Sequence, residues 1–264
     1  AIKTNPGYAD AYYNRGTAYG KKGLYDQAIA DYTKALEINP GDAEAYYNRG
    51  TAYGKKGLYD QAIADYTQSI KINPGYADAY YNRGTAYGKK GLYDLAIADC
   101  NKALEINPGY ADVYYARGIA YDNKGLSDLA IADYTQSIKI NPGDAEAYYA
   151  RGIAYGKKGL SDQAIADYTK AIKINPGDAE AYYNRGVAYD KKGLSGQAIA
   201  DYTQALEINP GYADAYINKA IACEKAGRIK EAVEAYKEFI HYAPSQYASY
   251  VELARQRIQV LGGK

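Results

Sequence analysis

Apolar residues recur along this chain at helical spacing, in a pattern that repeats every 34 residues. The first stripe of the first period contains Ala11, Tyr12, Gly16, Ala18 and Tyr19. A second stripe follows after Gly23 and contains Ala28, Ile29, Tyr32, Ala35, Leu36 and Ile38. Residues three or four apart share one face of an α-helix, so the pattern predicts two amphipathic helices in every period.

Prolines mark the period and end its second helix. All eight are spaced by 34 residues: Pro6, Pro40, Pro74, Pro108, Pro142, Pro176, Pro210 and Pro244. Proline lacks an amide donor and disfavours helix in the residue before it, and the glycine that follows most of these prolines suits a tight turn. A fixed period of this length is typical of stacked copies of one unit, so we predict a single tandem array over residues 1–264.

With proline as position 32 of each unit, the chain contains seven repeats and, at residues 1–8, a remnant of an upstream repeat. The repeats are 9–42, 43–76, 77–110, 111–144, 145–178, 179–212 and 213–246. Helices of about 12 to 14 residues are marginal alone, so their stability must come from packing. Small residues such as Gly16 and Ala28 are expected to make room for a tyrosine core formed by Tyr12, Tyr19 and Tyr32. We expect the arginines at position 7, such as Arg15, to pack their stems and leave the charge in solvent.

The two ends of the array differ from its middle. The seventh repeat drifts from the pattern, with Ala220 for glycine, Cys223 for tyrosine and Phe239 for alanine. A capping helix with a polar outer side is predicted at 247–261, from an apolar stripe of Tyr247, Tyr250, Val251, Ala254, Ile258 and Leu261. No such cap precedes the first repeat, so we expect end-to-end self-association through this uncapped amino-terminal repeat. Since the chain has no Met and begins within a repeat, we expect the natural protein to extend upstream.

Charge and hydropathy argue against several classes of partner. Lys and Arg number 32 against 31 Asp and Glu, a formal net charge of +1. Basic residues are spread evenly, so nucleic acid is not expected as a partner. No apolar run reaches the roughly 18 residues of a membrane span, and no signal peptide opens the sequence. We therefore expect no membrane association and favour a cytoplasmic location.

Candidate catalytic or metal-binding groups are sparse. Cys100 and Cys223 occupy different core positions in repeats three and seven, so we expect two buried thiols rather than a disulfide. His241 is the only histidine, which argues against a metal site. Asp, Lys and Tyr recur in nearly every repeat, and no nucleophile, base and orienting group stand out together. We therefore expect neither enzymatic activity nor a cofactor.

The residues at fixed positions resemble the tetratricopeptide repeat, a 34-residue unit. That family has large or aromatic residues at positions 4, 11 and 24, small residues at 8, 20 and 27, and proline at 32. In the first repeat these are Tyr12, Tyr19, Tyr32, Gly16, Ala28, Ala35 and Pro40. The resemblance covers essentially the whole chain. It implies an all-α fold, a right-handed superhelical α-solenoid of helix-turn-helix hairpins with a C-terminal capping helix, whose concave groove binds extended peptides.

A second stripe on the first helix of each repeat, at positions 2, 5, 6, 9, 12 and 13, is offset from the core stripe. We call it the first-helix surface, and the resemblance places it in the groove. Tyrosine rings give flat contact area, and an asparagine carboxamide can both donate to and accept from a peptide main chain. We predict ligand contacts at Tyr13, Asn14, Thr17, Lys21, Tyr47, Asn48, Thr51, Lys55, Tyr81, Asn82, Thr85, Lys89, Tyr115, Ile119, Tyr149, Ile153, Tyr183 and Asn184.

The first-helix surface changes along the chain. Alanine replaces asparagine at Ala116 and Ala150, and isoleucine replaces threonine at Ile119 and Ile153. These changes predict a polar amino-terminal part and a more apolar middle that accepts a hydrophobic anchor of the ligand.

Together these features predict a non-catalytic scaffold that binds an extended peptide or protein segment. The tetratricopeptide domains that clamp acidic chaperone termini carry lysine at positions 5 and 2 of particular repeats. Here position 5 is tyrosine and position 2 is acidic, as at Asp10 and Glu44, so that clamp is absent. The lysines at position 13 are expected to balance these acids. Two alternatives stay open: a substrate-recruiting accessory region of a larger enzyme, and a self-stacking structural spacer without a specific ligand.

Overall fold

The computed structural model describes residues 7–262, so only Gly7 and Tyr8 of the predicted remnant repeat lie among the described residues. The chain divides into two compact units, residues 1–140 and 141–264. The first unit contains α1 (Ala9–Lys21), α2 (Tyr25–Ile38), α3 (Ala43–Lys55), α4 (Tyr59–Ile72), α5 (Ala77–Lys89), α6 (Tyr93–Ile106), α7 (Ala111–Asn123) and α8 (Ser127–Ile140). The second contains α9 (Ala145–Lys157), α10 (Ser161–Ile174), α11 (Ala179–Lys191), α12 (Ser195–Ile208), α13 (Ala213–Lys225), α14 (Ile229–Tyr242), a 3₁₀ turn (Ser245–Tyr247) and α15 (Ala248–Val260). The predicted all-α fold of helical hairpins is confirmed.

Two glycine-containing turns punctuate each of the first six repeats, and repeat seven has only the first of them. Between the helices of the first hairpin, Gly23 has φ +73°, in the left-handed region that glycine alone enters without strain. Its N–H donates to the Gly20 carbonyl at 3.0 Å, which closes α1. After α2, the Gly41 N–H donates to the Asn39 side-chain oxygen at 3.3 Å, an Asx turn next to the proline. The same turns recur in repeats two to six, so these hairpins have nearly the same length.

The core of each hairpin packs a glycine against a tyrosine ring. A Cβ added to Gly16 would lie 3.0 Å from the ring of Tyr32, which is 4% exposed. This confirms the predicted packing of small residues against large ones at positions 8 and 24. Tyr12 and Tyr19 are only half-buried, because they flank the guanidinium of Arg15 at 5.7 and 5.9 Å. The prediction of a fully buried tyrosine core is wrong at these two positions.

Five of the six arginines at position 7 are also placed differently from the prediction, whereas the side chain of Arg15 is 47% exposed. Arg49 donates through Nε and Nη2 to the two carboxylate oxygens of Asp65 at 2.7 and 2.8 Å. The side chains are 17% and 8% exposed, so the charge is paired inside the protein rather than left in solvent. Arg49 Nη1 also donates to Thr33 Oγ1 of the preceding repeat at 3.0 Å. Equivalent bidentate pairs are Arg15–Asp31, Arg83–Asp99, Arg117–Asp133, Arg151–Asp167 and Arg185–Asp201.

The expectation about these arginines was wrong because a carboxylate at position 23 lies on the facing helix. A planar guanidinium matches a carboxylate through two parallel hydrogen bonds, and a buried acid needs such a partner. One signal was available in the sequence. Arginine and aspartate occur together in six repeats and are replaced together in the seventh, by Lys219 and Ala235.

The carboxyl-terminal helix closes the second unit. Phe239 of α14 and Ala254 of α15 are fully buried together, and Ile258 is 9% exposed. This confirms the predicted capping helix, although Tyr250 of the predicted apolar stripe is 56% exposed. Cys100 and Cys223 are buried free thiols, as predicted. Within residues 7–262, no helix combines the length and the apolar character that crossing a bilayer requires.

Candidate functional site

The predicted contacts lie on the first helices α1, α3, α5, α7, α9 and α11. The tyrosines at position 5 are all half-buried. In most repeats the ring packs against the tyrosine at position 24 of the same repeat, as for Tyr13 and Tyr32 with centroids 5.9 Å apart. Each of these rings is therefore held by its own repeat and exposes only part of its surface.

Asparagines at position 6 bind the tyrosine of the preceding repeat. Asn48 Nδ2 donates to the Tyr13 hydroxyl at 2.9 Å, and Asn82 Nδ2 donates to the Tyr47 hydroxyl at 2.8 Å. The second unit repeats the contact in the pairs Asn184–Tyr149 and Asn218–Tyr183. The structure thus brings predicted site residues of neighbouring repeats together. Within the described residues, the Oδ1 atoms of the half-buried Asn48 and Asn82 side chains accept no hydrogen bond and remain unused acceptors.

Neighbouring repeats meet at two kinds of junction. In the first, Asp42 caps α3 by accepting from the N–H groups of Glu44 and Ala45 at 3.0 Å, and Glu44 accepts from the Tyr13 hydroxyl at 3.1 Å. In the second, a tyrosine replaces the capping aspartate. The ring centroids of Tyr76 and Tyr47 are 4.8 Å apart.

The sequence carried a signal for these junctions that was missed. Aspartate at position 34 is always followed by glutamate at position 2 of the next repeat, and tyrosine at position 34 by aspartate. In the tyrosine type, the Tyr110 hydroxyl donates to Asp78 at 2.7 Å. Position 34 therefore decides whether the first-helix surface carries a capped helix end or an additional aromatic ring.

Burial and nearby acids hold the phenols of this surface in their neutral form. Burial, and then the hydrogen bond to Glu44, raise the pKa of Tyr13 to about 12. Burial also raises the pKa of Tyr47. These hydroxyls therefore act as hydrogen-bond donors and acceptors near neutral pH rather than as anions.

The threonines at position 9 support the tyrosines behind them. Thr17 and Thr51 each donate to the carbonyl four residues earlier, at 3.1 and 3.0 Å. Each also accepts from the tyrosine at position 24, with Tyr66 and Thr51 at 3.3 Å. Thr85 also donates to the carbonyl four residues earlier, but it accepts no hydrogen bond from a position-24 tyrosine, because its repeat has Cys100 at that position.

The lysines at position 13 of the first three repeats form no ion pair with the acids at position 2 among the described residues, whereas Lys225 of the last repeat binds Asp190 at 2.7 Å. Within the described residues, the ammonium groups of Lys21, Lys55 and Lys89 have no ion-pair partner, and all three side chains are exposed. The lysines at position 14 instead bind aspartates at position 18 of the preceding repeat, as in the pair Lys56–Asp26. Positive charge on the first-helix surface is therefore available to a ligand.

One pocket in the first unit lies where the predicted surface becomes apolar. It has a volume of about 320 Å³ between repeats three and four. Three predicted contacts, Tyr81, Tyr115 and Ile119, line it together with Ala116 and Cys100. The structure therefore brings the predicted apolar residues of repeat four beside a buried thiol.

A larger pocket, of about 730 Å³, lies in the second unit between the last repeat and α15. Glu224 lies in it and binds Arg257 of α15, and it accepts from the Tyr236 hydroxyl at 2.5 Å. The hydrogen bond from Arg257 lowers the pKa of Glu224. Of the predicted contacts only Tyr183 lines this pocket. The missed signal is the glutamate itself, because position 12 holds glycine or aspartate in every other repeat.

No cluster of His, Cys, Asp and Glu side chains suited to a metal ion occurs among residues 7–262.

Comparison with known families identifies the repeat. A sequence model described as the tetratricopeptide repeat matches residues 9–42, 43–76, 77–110 and 179–212. Two related models, described as TPR repeat and tetratricopeptide repeat, match 127–159 with 161–193, and 100–132 with 201–234. No curated protein sequence matches the chain.

Solved structures give the same picture. YrrB, described as a TPR protein with an unusual peptide-binding site, is 28% identical with a TM-score of 0.60, over 70% of this chain and 95% of YrrB. MamA is 34% identical with a TM-score of 0.58, over 62% of this chain and 96% of MamA. A tetratricopeptide repeat protein from Parabacteroides merdae has a TM-score of 0.67 over 97% of this chain and 99% of its own, but at 19% identity it shows the fold alone.

Proposed function

This chain belongs to the tetratricopeptide repeat family, and from this premise we propose that its first-helix surface binds an extended peptide or protein segment without catalysing a reaction. YrrB, a similar protein, is described as having a peptide-binding site. That similarity supports the class of ligand. The contacts proposed for this chain rest on its own residues.

The observation that carries the proposal is the anchoring of the asparagines. Tyr13 and Tyr47 each take one hydrogen bond from the carboxamide of the next repeat. This bond fixes the side-chain amide of Asn48 and Asn82 while their Oδ1 atoms stay unused. An acceptor held in place before binding loses less entropy when a ligand arrives. A peptide main chain offers N–H donors for such acceptors.

Lysines on the same surface as the asparagines supply hydrogen-bond donors, which complement the acceptor oxygens of the asparagines. Lys55 and Lys89 are exposed and have no ion-pair partner among the described residues. Their ammonium groups donate only, so they suit main-chain carbonyls or the carboxylates of a ligand. The combination favours a segment that is extended, polar along its main chain and acidic or neutral in charge.

We place no reaction on this surface. The tyrosine, asparagine and arginine contacts recur in neighbouring repeats and are explained by packing between helices. A catalytic site needs one distinct constellation of nucleophile, base and orienting group.

A peptide-display selection against the purified protein tests the proposal. The selected peptides are then titrated against the wild type and against Asn48→Ala plus Asn82→Ala. We expect affinity to fall by about tenfold or more, the equivalent of one or two lost hydrogen bonds.

The matched control is Gln27→Ala plus Gln61→Ala, which changes two exposed amides on the second helices. It should leave affinity unchanged. Equal affinity for both double variants would contradict the proposed surface, and a selection that yields no binding peptide would favour the structural spacer.

A further inference from the structure

One repeat lacks the ring that fills the others. Position 24 is a tyrosine in six repeats, 1% to 4% exposed: Tyr32, Tyr66, Tyr134, Tyr168, Tyr202 and Tyr236. In repeat three it is Cys100, which is 1% exposed. A cysteine side chain is shorter than tyrosine by the whole phenol ring. The surrounding helices must therefore either close on the missing volume or leave it open.

The helices leave the outer end of this space open, although at its inner end a Cβ added to Gly84 would still lie 3.2 Å from the Asp99 Cβ and 3.5 Å from the Cys100 sulfur. In repeat two, a Cβ added to Gly50 would lie 2.9 Å from the Tyr66 ring, and one added to Gly54 would lie 3.8 Å from its hydroxyl. In repeat three, a Cβ added to Gly88 would meet no atom within 4 Å. The place of the missing hydroxyl end is thus empty.

The pocket volumes show the same difference. The groove between repeats two and three measures about 230 Å³ and ends at Tyr66. The equivalent space between repeats three and four measures about 320 Å³ and reaches inward to Tyr81, Gly84 and Ala96. We call the second space the Cys100 pocket.

The mouth of the Cys100 pocket differs from its counterpart in two further residues. Ala116 stands where repeat three has Asn82, and Ile119 stands where it has Thr85. The alanine is smaller than the asparagine, and both changes make this side of the rim more apolar, while Lys89 and Asn123 also line the pocket. Inside, burial raises the pKa of the Cys100 thiol to about 12, so the floor of the pocket is a neutral thiol. The lining therefore suits an uncharged ring.

One polar group in the pocket lacks a hydrogen bond that its counterparts in repeats one and two accept. Tyr66 donates its hydroxyl to Thr51 Oγ1 at 3.3 Å, and Tyr32 does the same to Thr17 at 3.2 Å. Thr85, the equivalent threonine beside the Cys100 pocket, receives no bond from a position-24 hydroxyl. A phenol entering the pocket finds the same acceptor that Tyr32 and Tyr66 use.

We propose that the Cys100 pocket binds a phenol ring, the side chain of a tyrosine in the bound segment, in the place that tyrosine 24 occupies in the other repeats. This inference rests on the proposed function, because the tyrosine belongs to the peptide or protein segment that is proposed to bind. Its commitment to a tyrosine comes from this chain, since six repeats bury that ring at position 24 and two of them, through Tyr32 and Tyr66, bond its hydroxyl to the threonine at position 9.

The test uses p-cresol, the side chain of tyrosine as a free molecule, titrated into ¹⁵N-labelled protein and followed by NMR. We expect saturable shifts of the Gly84, Gly88 and Ala120 amides in the wild type. Cys100→Tyr fills the pocket with the residue found in the other repeats, so it should fold and lose these shifts. Tyr66→Cys should gain saturable shifts at Gly50 and Gly54.

Toluene is the matched probe for the hydroxyl, because it has the same ring without the oxygen. It should bind the wild type several-fold more weakly than p-cresol. Equal affinity would overturn the assignment of a phenol. Absence of saturable shifts in the wild type, or unchanged shifts in Cys100→Tyr, would overturn the pocket itself. No peptide is present, so these failures are distinct from failure of the peptide selection.

Discussion

Repeats two and three have the same helix lengths and the same buried Arg–Asp pair, yet one is filled and the other holds a pocket. Arg49 and Asp65 in repeat two correspond to Arg83 and Asp99 in repeat three, with bond lengths of 2.7 to 2.8 Å in both. Two fully buried positions differ between the hairpins: Ser69 becomes Ala103 at position 27, and Tyr66 becomes Cys100 at position 24, which is the change that removes a ring. The comparison teaches that the ion pair and the turns set the spacing of the helices, whereas the ring decides whether the space between them is occupied.

Their outer contacts differ in the same way. Asn82 of repeat three donates to Tyr47 of repeat two, but Ala116 of repeat four has no carboxamide to offer Tyr81. Repeat two is therefore complete in its core and at its junction with the next repeat. Repeat three lacks the buried tyrosine ring, and its junction with repeat four lacks the asparagine. The residues at these two positions, Cys100 and Ala116, line the same pocket.

The largest expected effect tests the shared part of the comparison. Asp65→Ala and Asp99→Ala each leave a mostly buried guanidinium without its carboxylate. Each should lower the free energy of unfolding by about 3 to 5 kcal/mol, as measured by urea denaturation. The control is Asp26→Ala, which removes an 80% exposed partner of Lys56 and should cost less than about 1 kcal/mol. If Asp65→Ala costs no more than the control, the ion pair does not hold the repeat.

A smaller effect tests the ring. Tyr66→Cys should lower the free energy of unfolding by about 2 to 4 kcal/mol, because it removes a buried ring and leaves its cavity. The reverse change, Cys100→Tyr, should raise it by about 1 kcal/mol. Tyr59→Ser, a substitution that repeats four to six carry at this position, is the control and should cost less than about 1 kcal/mol. Destabilisation by Cys100→Tyr would show that repeat three has repacked and that the two repeats differ in more than one ring.

Repeat seven extends the comparison, because it has Glu224 where repeats two and three have glycine. The pKa of Glu224 is lowered in the folded protein by the hydrogen bond from Arg257, from an ordinary value of 4.5. The ionised carboxylate therefore stabilises the folded protein fully at pH values above its ordinary pKa of 4.5. This stabilisation is lost as pH falls through the lower pKa that the group has in the folded protein.

Glu224→Gln should accordingly lower the free energy of unfolding at neutral pH by about 1 kcal/mol at most, since Arg257 is 41% exposed. The difference from the wild type should shrink as pH falls below the ordinary carboxylate value of 4.5, as measured by urea denaturation at each pH. A difference that does not change with pH would show that Glu224 acts through packing alone.

The smallest expected effect concerns the junction. Asn82→Ala should lower the free energy of unfolding by about 0.5 kcal/mol, which is the lower end of the range for one partly exposed neutral hydrogen bond. A double-mutant cycle with Tyr47→Phe isolates that bond. Ala116→Asn should raise the free energy of unfolding by a similar amount, because the new carboxamide can donate to the Tyr81 hydroxyl. Additive effects of Asn82→Ala and Tyr47→Phe would mean that the bond contributes nothing to stability.

Much of the fold was predictable because its signals are local. Helical spacing, the left-handed glycine at position 15 and the Asn-Pro-Gly turn each act within a few residues, so the positions of α1 to α14 follow from them. The capping helix was predicted for the same reason. Tyr250 was placed wrongly because an apolar stripe does not show which of its members reaches the partner helix; this residue is 56% exposed.

The candidate site was predictable in its parts but not in its contacts. Position 5 and position 6 were identified as one surface, but the bond from Asn48 to Tyr13 joins residues 35 apart in different helices. The role of Cys100 was missed for a different reason. The substitution was visible, but whether the helices close around a smaller side chain depends on the packing of their neighbours.

By itself the sequence determined the period, the two helices of each repeat, their turns, the family and the divergent last repeat, because these depend on residues a few positions apart. Only the tertiary structure decided that Arg49 is paired, that Asn48 and Asn82 are anchored, and that Cys100 borders an open pocket. These contacts join side chains 16 to 35 residues apart, as in Arg49–Asp65 and Asn48–Tyr13. The distance and burial of such groups are set by how the hairpins pack, which no local pattern specifies.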